Sequence, residues 1–165
     1  MDDRSGKPGQ KPGGLDLEIT RSLAASPGDV YAAWTSVQGL AGWWPPEGFV
    51  VPADQSGFHP VPGASYRACM VDPATGAELW WSGEFGAVRP PSHLSFSLLW
   101  EADDGPAGPR SQVEVDFTEH DGGTRQEFRQ GTFPSRSARD DTAARWQDAF
   151  DRLALYLARQ AGQGR

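Results

Sequence analysis

Between Leu15 and Leu23 the chain alternates. Leu15, Leu17, Ile19, Arg21 and Leu23 fall on one side, and Asp16, Glu18, Thr20 and Ser22 on the other. A period of two predicts a half-buried strand. The period then changes to that of a helix. Ser26 is a capping residue, Pro27 suits the first helical position and Asp29 the first turn. Val30, Ala33, Trp34 and Val37 follow at helical spacing, and Gly39 and Gly42 are expected to break the stretch into two short helices ending at Leu40, Trp43 and Trp44. Residues 45–64 are rich in Pro and Gly and hold only one candidate strand, at Phe49, Val50 and Val51. So long a stretch without regular structure is uncommon in a compact domain and often functional.

Five further strands are predicted, near 66–72, 78–88, 93–100, 112–119 and 124–133. They are separated by turns at Pro73–Gly76, Pro90-Pro91, a polar loop EADDGPAGPR, and Asp121-Gly122-Gly123, a strong hairpin signal. Short turns between successive strands imply antiparallel neighbours. The last segment is helical. Ser137, with Asp140 three residues on, is the expected cap. Trp146, Phe150, Leu153 and Leu157 form one apolar stripe at i, i+4, i+7 and i+11, and the helix is expected to end near Ala161. An α+β architecture follows, a twisted antiparallel sheet of about six or seven strands with its apolar face wrapped on the long C-terminal helix. A cavity has room to remain between them.

Composition narrows the picture. The chain has 165 residues, the size of one domain. Residues 1–14 read as a disordered tail, 15–161 as the single domain and 162–165 as a frayed end. A net charge of −7 argues against nucleic acid as a partner. No apolar run approaches the ~20 residues of a membrane span, so no membrane partner is expected. Cys69 is the only cysteine, and the N-terminus lacks an apolar signal region; both fit the cytoplasm. Seven Trp and eight Phe are a heavy aromatic load, suited to a core or to a pocket wall.

Several words of the sequence occur in a telling order: ITRSLAASPGDVYAAWTS, LAGWWPPEGF, PGASYRACMVDPATG, WSGEFGAVRPPSHLSFSLLW, VEVDFTEHDGGTRQEF and ARWQDAFDRLALYL. Together they resemble the SRPBCC (START-like, helix-grip) superfamily, and within it the family homologous to the activator of the heat-shock-protein-90 ATPase. The resemblance spans roughly 17–157. One departure is Gly63-Ala64, where the family often has two glycines. The resemblance implies a hydrophobic tunnel between sheet and last helix, open near the second short helix. It implies no single activity, since relatives bind lipids or hormones, cyclise aromatic polyketides, or act as co-chaperones.

Strand parity supplies the candidate residues. Leu79, Trp81, Gly83 and Phe85 share one face, as do Leu94, Phe96, Leu98 and Trp100, and Val113, Val115 and Phe117. These sets are assigned to the concave side, as core packing or as cavity wall. On the next strand Arg125, Glu127 and Arg129 should face water, which turns Gln126, Phe128 and Gln130 inward. A buried amide needs a partner, either a ligand, cavity water or another part of the protein. Trp43 and Trp44 are adjacent, so one of them is expected at the cavity mouth and partly exposed. Arg139 falls within about 20° of the apolar stripe, over the mouth or in solvent. The expected ligand-binding set is Trp43, Trp44, Phe49, Trp81, Phe85, Phe96, Leu98, Phe117, Gln126, Phe128, Arg139, Trp146 and Phe150.

Signals for catalysis are poor. His59, His93 and His120 have no metal-ligand spacing, and no nucleophile elbow, P-loop or dinucleotide fingerprint occurs. No metal and no cofactor are expected. Glu84 would suit acid/base work only if its strand parity were reversed. The leading expectation is binding of a small apolar or aromatic molecule. A cyclase or dehydratase using the same cavity and a co-chaperone-like protein-interaction module are the alternatives. The oligomeric state stays open, with Trp80 a candidate contact.

Overall fold

The computed structural model describes residues 15–52, 59–102, 105–106 and 110–163; the expected tail at 1–14 lies outside them. Strand β1 (Leu17–Leu23) buries Leu17, Ile19 and Leu23, as its alternation requires. Helix α1 (Pro27–Trp34) opens on the Ser26 cap, whose hydroxyl accepts the Asp29 amide at 3.2 Å. Helix α2 (Val37–Trp43) begins afresh on Ser36, which accepts the Gly39 amide at 2.9 Å. The break between helices therefore falls at Thr35-Ser36 and not, as expected, at Gly39 and Gly42. Both glycines lie inside α2 because its neighbours come too close for a side chain. A Cβ at position 39 would stand 2.8 Å from the Ala33 backbone, and one at 42 would collide with the Tyr156 ring.

The remaining strands are β2 (Ser65–Val71), β3 (Glu78–Arg89), β4 (His93–Ala102), a short β5 (Gly105–Pro106), β6 (Ser111–His120) and β7 (Gly123–Gly131). They form one curved antiparallel sheet in the order β1-β7-β6-β4-β3-β2, with β5 paired to β4. Val50 makes a single bridge to Val71 in place of the short strand expected there. The β6–β7 hairpin turns on Asp121 and Gly122 between the paired His120 and Gly123, with φ of 53° and 79°. Two positive φ values match the right-handed twist of the flanking strands, and Asp-Gly tolerates them.

The β3–β4 ladder is creased. Backbone pairing at Ser82↔Leu99 resumes in the same register at Phe85↔Phe96, and the register then shifts once, before Val88. Across the gap the Ser97 hydroxyl accepts the Glu84 amide at 2.9 Å, and the Ser95 hydroxyl accepts the Ala87 amide at 2.8 Å. The Tyr66 hydroxyl donates to the Ser97 carbonyl at 2.7 Å. Tyr66 pairs with Gly83, where a side chain would collide with that same carbonyl.

Helix α3 (Arg136–Gln163) starts one cap earlier than expected. The Ser135 hydroxyl, not that of Ser137, accepts the Ala138 amide at 3.0 Å. Trp146, Phe150, Leu153 and Leu157 are buried on its inner face. Two arginines fasten its second half. Arg21 of β1 donates to the Gln147 carbonyl at 3.0 Å and pairs with Asp151 at 2.6 Å. Arg152 donates to the carbonyls of Trp43 and Trp44 at 3.0 and 3.2 Å, the unsatisfied C-terminal end of α2. Among the described residues no helix is long and apolar enough to cross a membrane.

Candidate functional site

The space between sheet and α3 divides into a filled end and an open end. Trp34, the last residue of α1, fills the first. Its ring lies 4.9 Å from that of Trp43 and 6.0–6.4 Å from those of Phe96, Phe117, Phe128, Trp146 and Phe150. Its indole N–H donates to Gln126 Oε1 at 2.9 Å. Gln126 is wholly buried, and its Nε2 has no partner among the described residues. Trp81, Phe85 and Phe96 border a void of only ≈ 10 Å³, no more than about one water.

At the other end lies a cavity of ≈ 640 Å³. Its sheet side is formed by Met70, Leu79, Leu98, Trp100, Ser111 and Gln130. Trp44 and Pro46 close one side, and Phe133 and Pro134 lead into the helix. From α3 come Ala138, Thr142, Arg145, Ala149 and Arg152, with Asp148 between the arginines. Trp44 and Trp146 form the partition between the two ends. Trp44 stacks on Trp81 at 5.1 Å and 9°, and meets Trp146 edge-on at 5.1 Å and 88°. Gln130 sits on the floor of the cavity. Its Oε1 accepts the Trp146 indole N–H at 2.8 Å, and its Nε2 donates to Ser111 at 2.7 Å.

Of the expected binding residues, Trp44, Leu98 and Trp146 line this cavity. Trp43, Trp81, Phe85, Phe96, Phe117, Gln126, Phe128 and Phe150 are buried elsewhere, in the filled end. Phe49 packs half-buried against that core. Arg139 does not line the cavity; its Nε lies 3.2 Å from Asp140. The expectation that one of Trp43 and Trp44 is partly exposed is overturned, since they are 1% and 7% exposed. The helix ends at Trp43, and Trp44 turns in under α3 where the sheet and helix enclose it.

The residues the sequence reading missed are Arg145 and Arg152, together with Ala138, Thr142 and Ala149. They do carry a signal. Positions 138, 142, 145, 149 and 152 repeat at helical spacing one residue ahead of the apolar stripe. Small residues there leave space where large ones would fill it.

Glu84 is exposed on the sheet's outer face, away from the cavity. That face carries a second hollow, lined by Arg67, Glu84, Glu101 and Arg110 among others. Its charges are partly spent on one another. Arg67 donates to the Glu101 carboxylate through Nε and Nη2 at 2.8–3.3 Å and stacks over Trp80 at 3.9 Å. This bond holds the Glu101 carboxyl below its usual range. Among the described residues no cluster of His, Cys, Asp and Glu could hold a metal ion.

The sequence model of the family described as Activator of Hsp90 ATPase homolog 1-like protein matches residues 24–158. Among solved structures, the AHSA1 protein from Silicibacter pomeroyi superposes with a TM-score of 0.78 at 27% identity, covering 88% of this chain and 99% of that one. A protein from Mycobacterium smegmatis gives 0.72 at 25%, covering 88% and 91%. The AHSA1-like protein from Aeromonas hydrophila gives 0.73 at 22%, covering 89% and 94%, a likeness of fold. No curated protein matches.

Proposed function

The chain belongs to the family of Activator of Hsp90 ATPase homolog 1-like proteins, and from that membership we propose that it binds a small apolar or aromatic molecule in the cavity between the sheet and α3. The observation that carries this reading is the cavity's size and wall. A volume of ≈ 640 Å³ falls in the range of about 300–1,000 Å³ typical of ligand sites. Leu98, Trp100, Met70, Phe133, Trp44 and Trp146 supply apolar surface, and Gln130 and Ser111 a few fixed polar groups. That combination suits binding by apolar burial with polar groups setting orientation. The same reading puts the protein in the reducing cytoplasm, supported by the single, buried thiol of Cys69.

The test is native mass spectrometry of the purified protein for a retained compound, followed by tryptophan-fluorescence titration against apolar and aromatic metabolites. Saturable quenching is expected, because Trp44, Trp100 and Trp146 face the cavity. Ala138→Trp places a large ring at the half-buried start of α3, in the cavity wall. It should abolish the quenching with little change in melting temperature. A protein with no retained compound and no response to the panel would overturn the reading.

A further inference from the structure

The helix side of the cavity is charged in a specific way. Arg145 and Arg152 stand seven residues apart on one face of α3, and both line the cavity. Asp148 lies between them at i+3 and i−4, the spacings at which helical ion pairs form. Yet among the described residues neither arginine has a carboxylate oxygen within 4.0 Å. Arg145 is exposed and makes no hydrogen bond there. Arg152 is half-buried, and its two bonds to the Trp43 and Trp44 carbonyls fix its guanidinium at the cavity wall. A guanidinium carries five N–H donors, so these bonds leave others undonated. Burial also pulls its pKa below the ordinary arginine value, with Asp148 and Asp151 opposing. Such a cation is held in place but incompletely solvated. It gains most from a planar anion that it can bind through two parallel hydrogen bonds.

We propose that the cavity takes an amphiphilic acid, its carboxylate against Arg145 and Arg152 and its apolar body along Trp44, Leu98 and Trp100. This rests on the ligand-binding reading above and adds the chemistry of the head group. The chain's net charge of −7 repels anions at long range, so a local pair of cations is what would admit one.

Matched probes separate the two claims. Dodecanoate and 1-dodecanol, and 4-phenylbutanoate and 4-phenylbutanol, are titrated into the full-length protein by tryptophan fluorescence at low and high salt. The acids should bind at least about tenfold tighter than the alcohols, with a preference that shrinks in salt. Arg145→Gln should reduce that preference, lowering affinity for the acids more than for the alcohols. Arg152→Gln risks loosening the end of α2, so Arg152→Lys, which keeps the charge and loses the fork, is the second variant. Equal affinity for acids and alcohols, or a preference untouched by both variants, overturns the acid head group and leaves the cavity reading standing. Failure of every probe to bind the unaltered protein overturns both.

Discussion

Gln126 and Gln130 sit four residues apart on β7, both facing inward and both accepting an indole N–H. They differ in what lies beyond them. Gln126 is sealed in the filled end, whereas Gln130 lines the cavity. Gln126→Leu leaves the Trp34 N–H buried without an acceptor, a loss of about 1–3 kcal/mol. It should lower stability in urea denaturation and leave ligand affinity unchanged. Gln130→Leu does the same to Trp146 and should weaken polar-ligand binding as well. Equal effects of the two on affinity would contradict the division of the interior. The alternation of β7 made the inward direction of both residues legible. Their partners were not, because the Trp34 bond joins residues 92 apart and no local pattern encodes such a meeting.

At the scale of elements, glycine meant opposite things at neighbouring places. Read along the chain, Gly39 and Gly42 looked like helix breakers. In three dimensions they are where α2 touches α1 and α3. Gly28, inside the first turn of α1, has nothing closer than 3.9 Å to a side chain placed there. Gly28→Ala should therefore raise stability by about 0.5–1 kcal/mol, the usual gain in a helix. Gly39→Ala should lower it by about 1–3 kcal/mol through overpacking. Thermal denaturation of the two variants checks the opposite signs. Caps and strand alternation are local, and the sequence displayed most of them. The Ser135 cap escaped because Ser135 and Ser137 are both plausible caps, and only the backbone turn after Pro134 distinguishes them.

For the whole molecule, the legible part was the wrap of sheet on helix, and the hidden part was where it stays empty. A cavity is what side chains from several elements fail to fill. Its position here depends on Trp34 reaching in from α1 and on small residues along one flank of α3. This is why so many aromatics on the concave face proved to be packing. The division also predicts uneven motion. Arg21 and Arg152 hold the second half of α3, while its first turns border the cavity. In hydrogen exchange, amides of 138–145 should exchange faster than those of 149–157, and a bound ligand should slow the former selectively. Uniform exchange along the helix would contradict it.

The crease in β3–β4 has a mechanical consequence. A continuous ladder resists bending along its length, but here two serine hydroxyls and one phenol replace a run of backbone pairs. The plate is thus weakened along one line and braced across it by Tyr66. Burial holds that phenol protonated far above its usual range, so the brace does not slacken with pH. This line lies outside the cavity wall, whose sheet side is Met70, Leu79, Leu98, Trp100, Ser111 and Gln130. Residues of the cavity wall can then be exchanged while the crease and its hydrogen bonds stay in place.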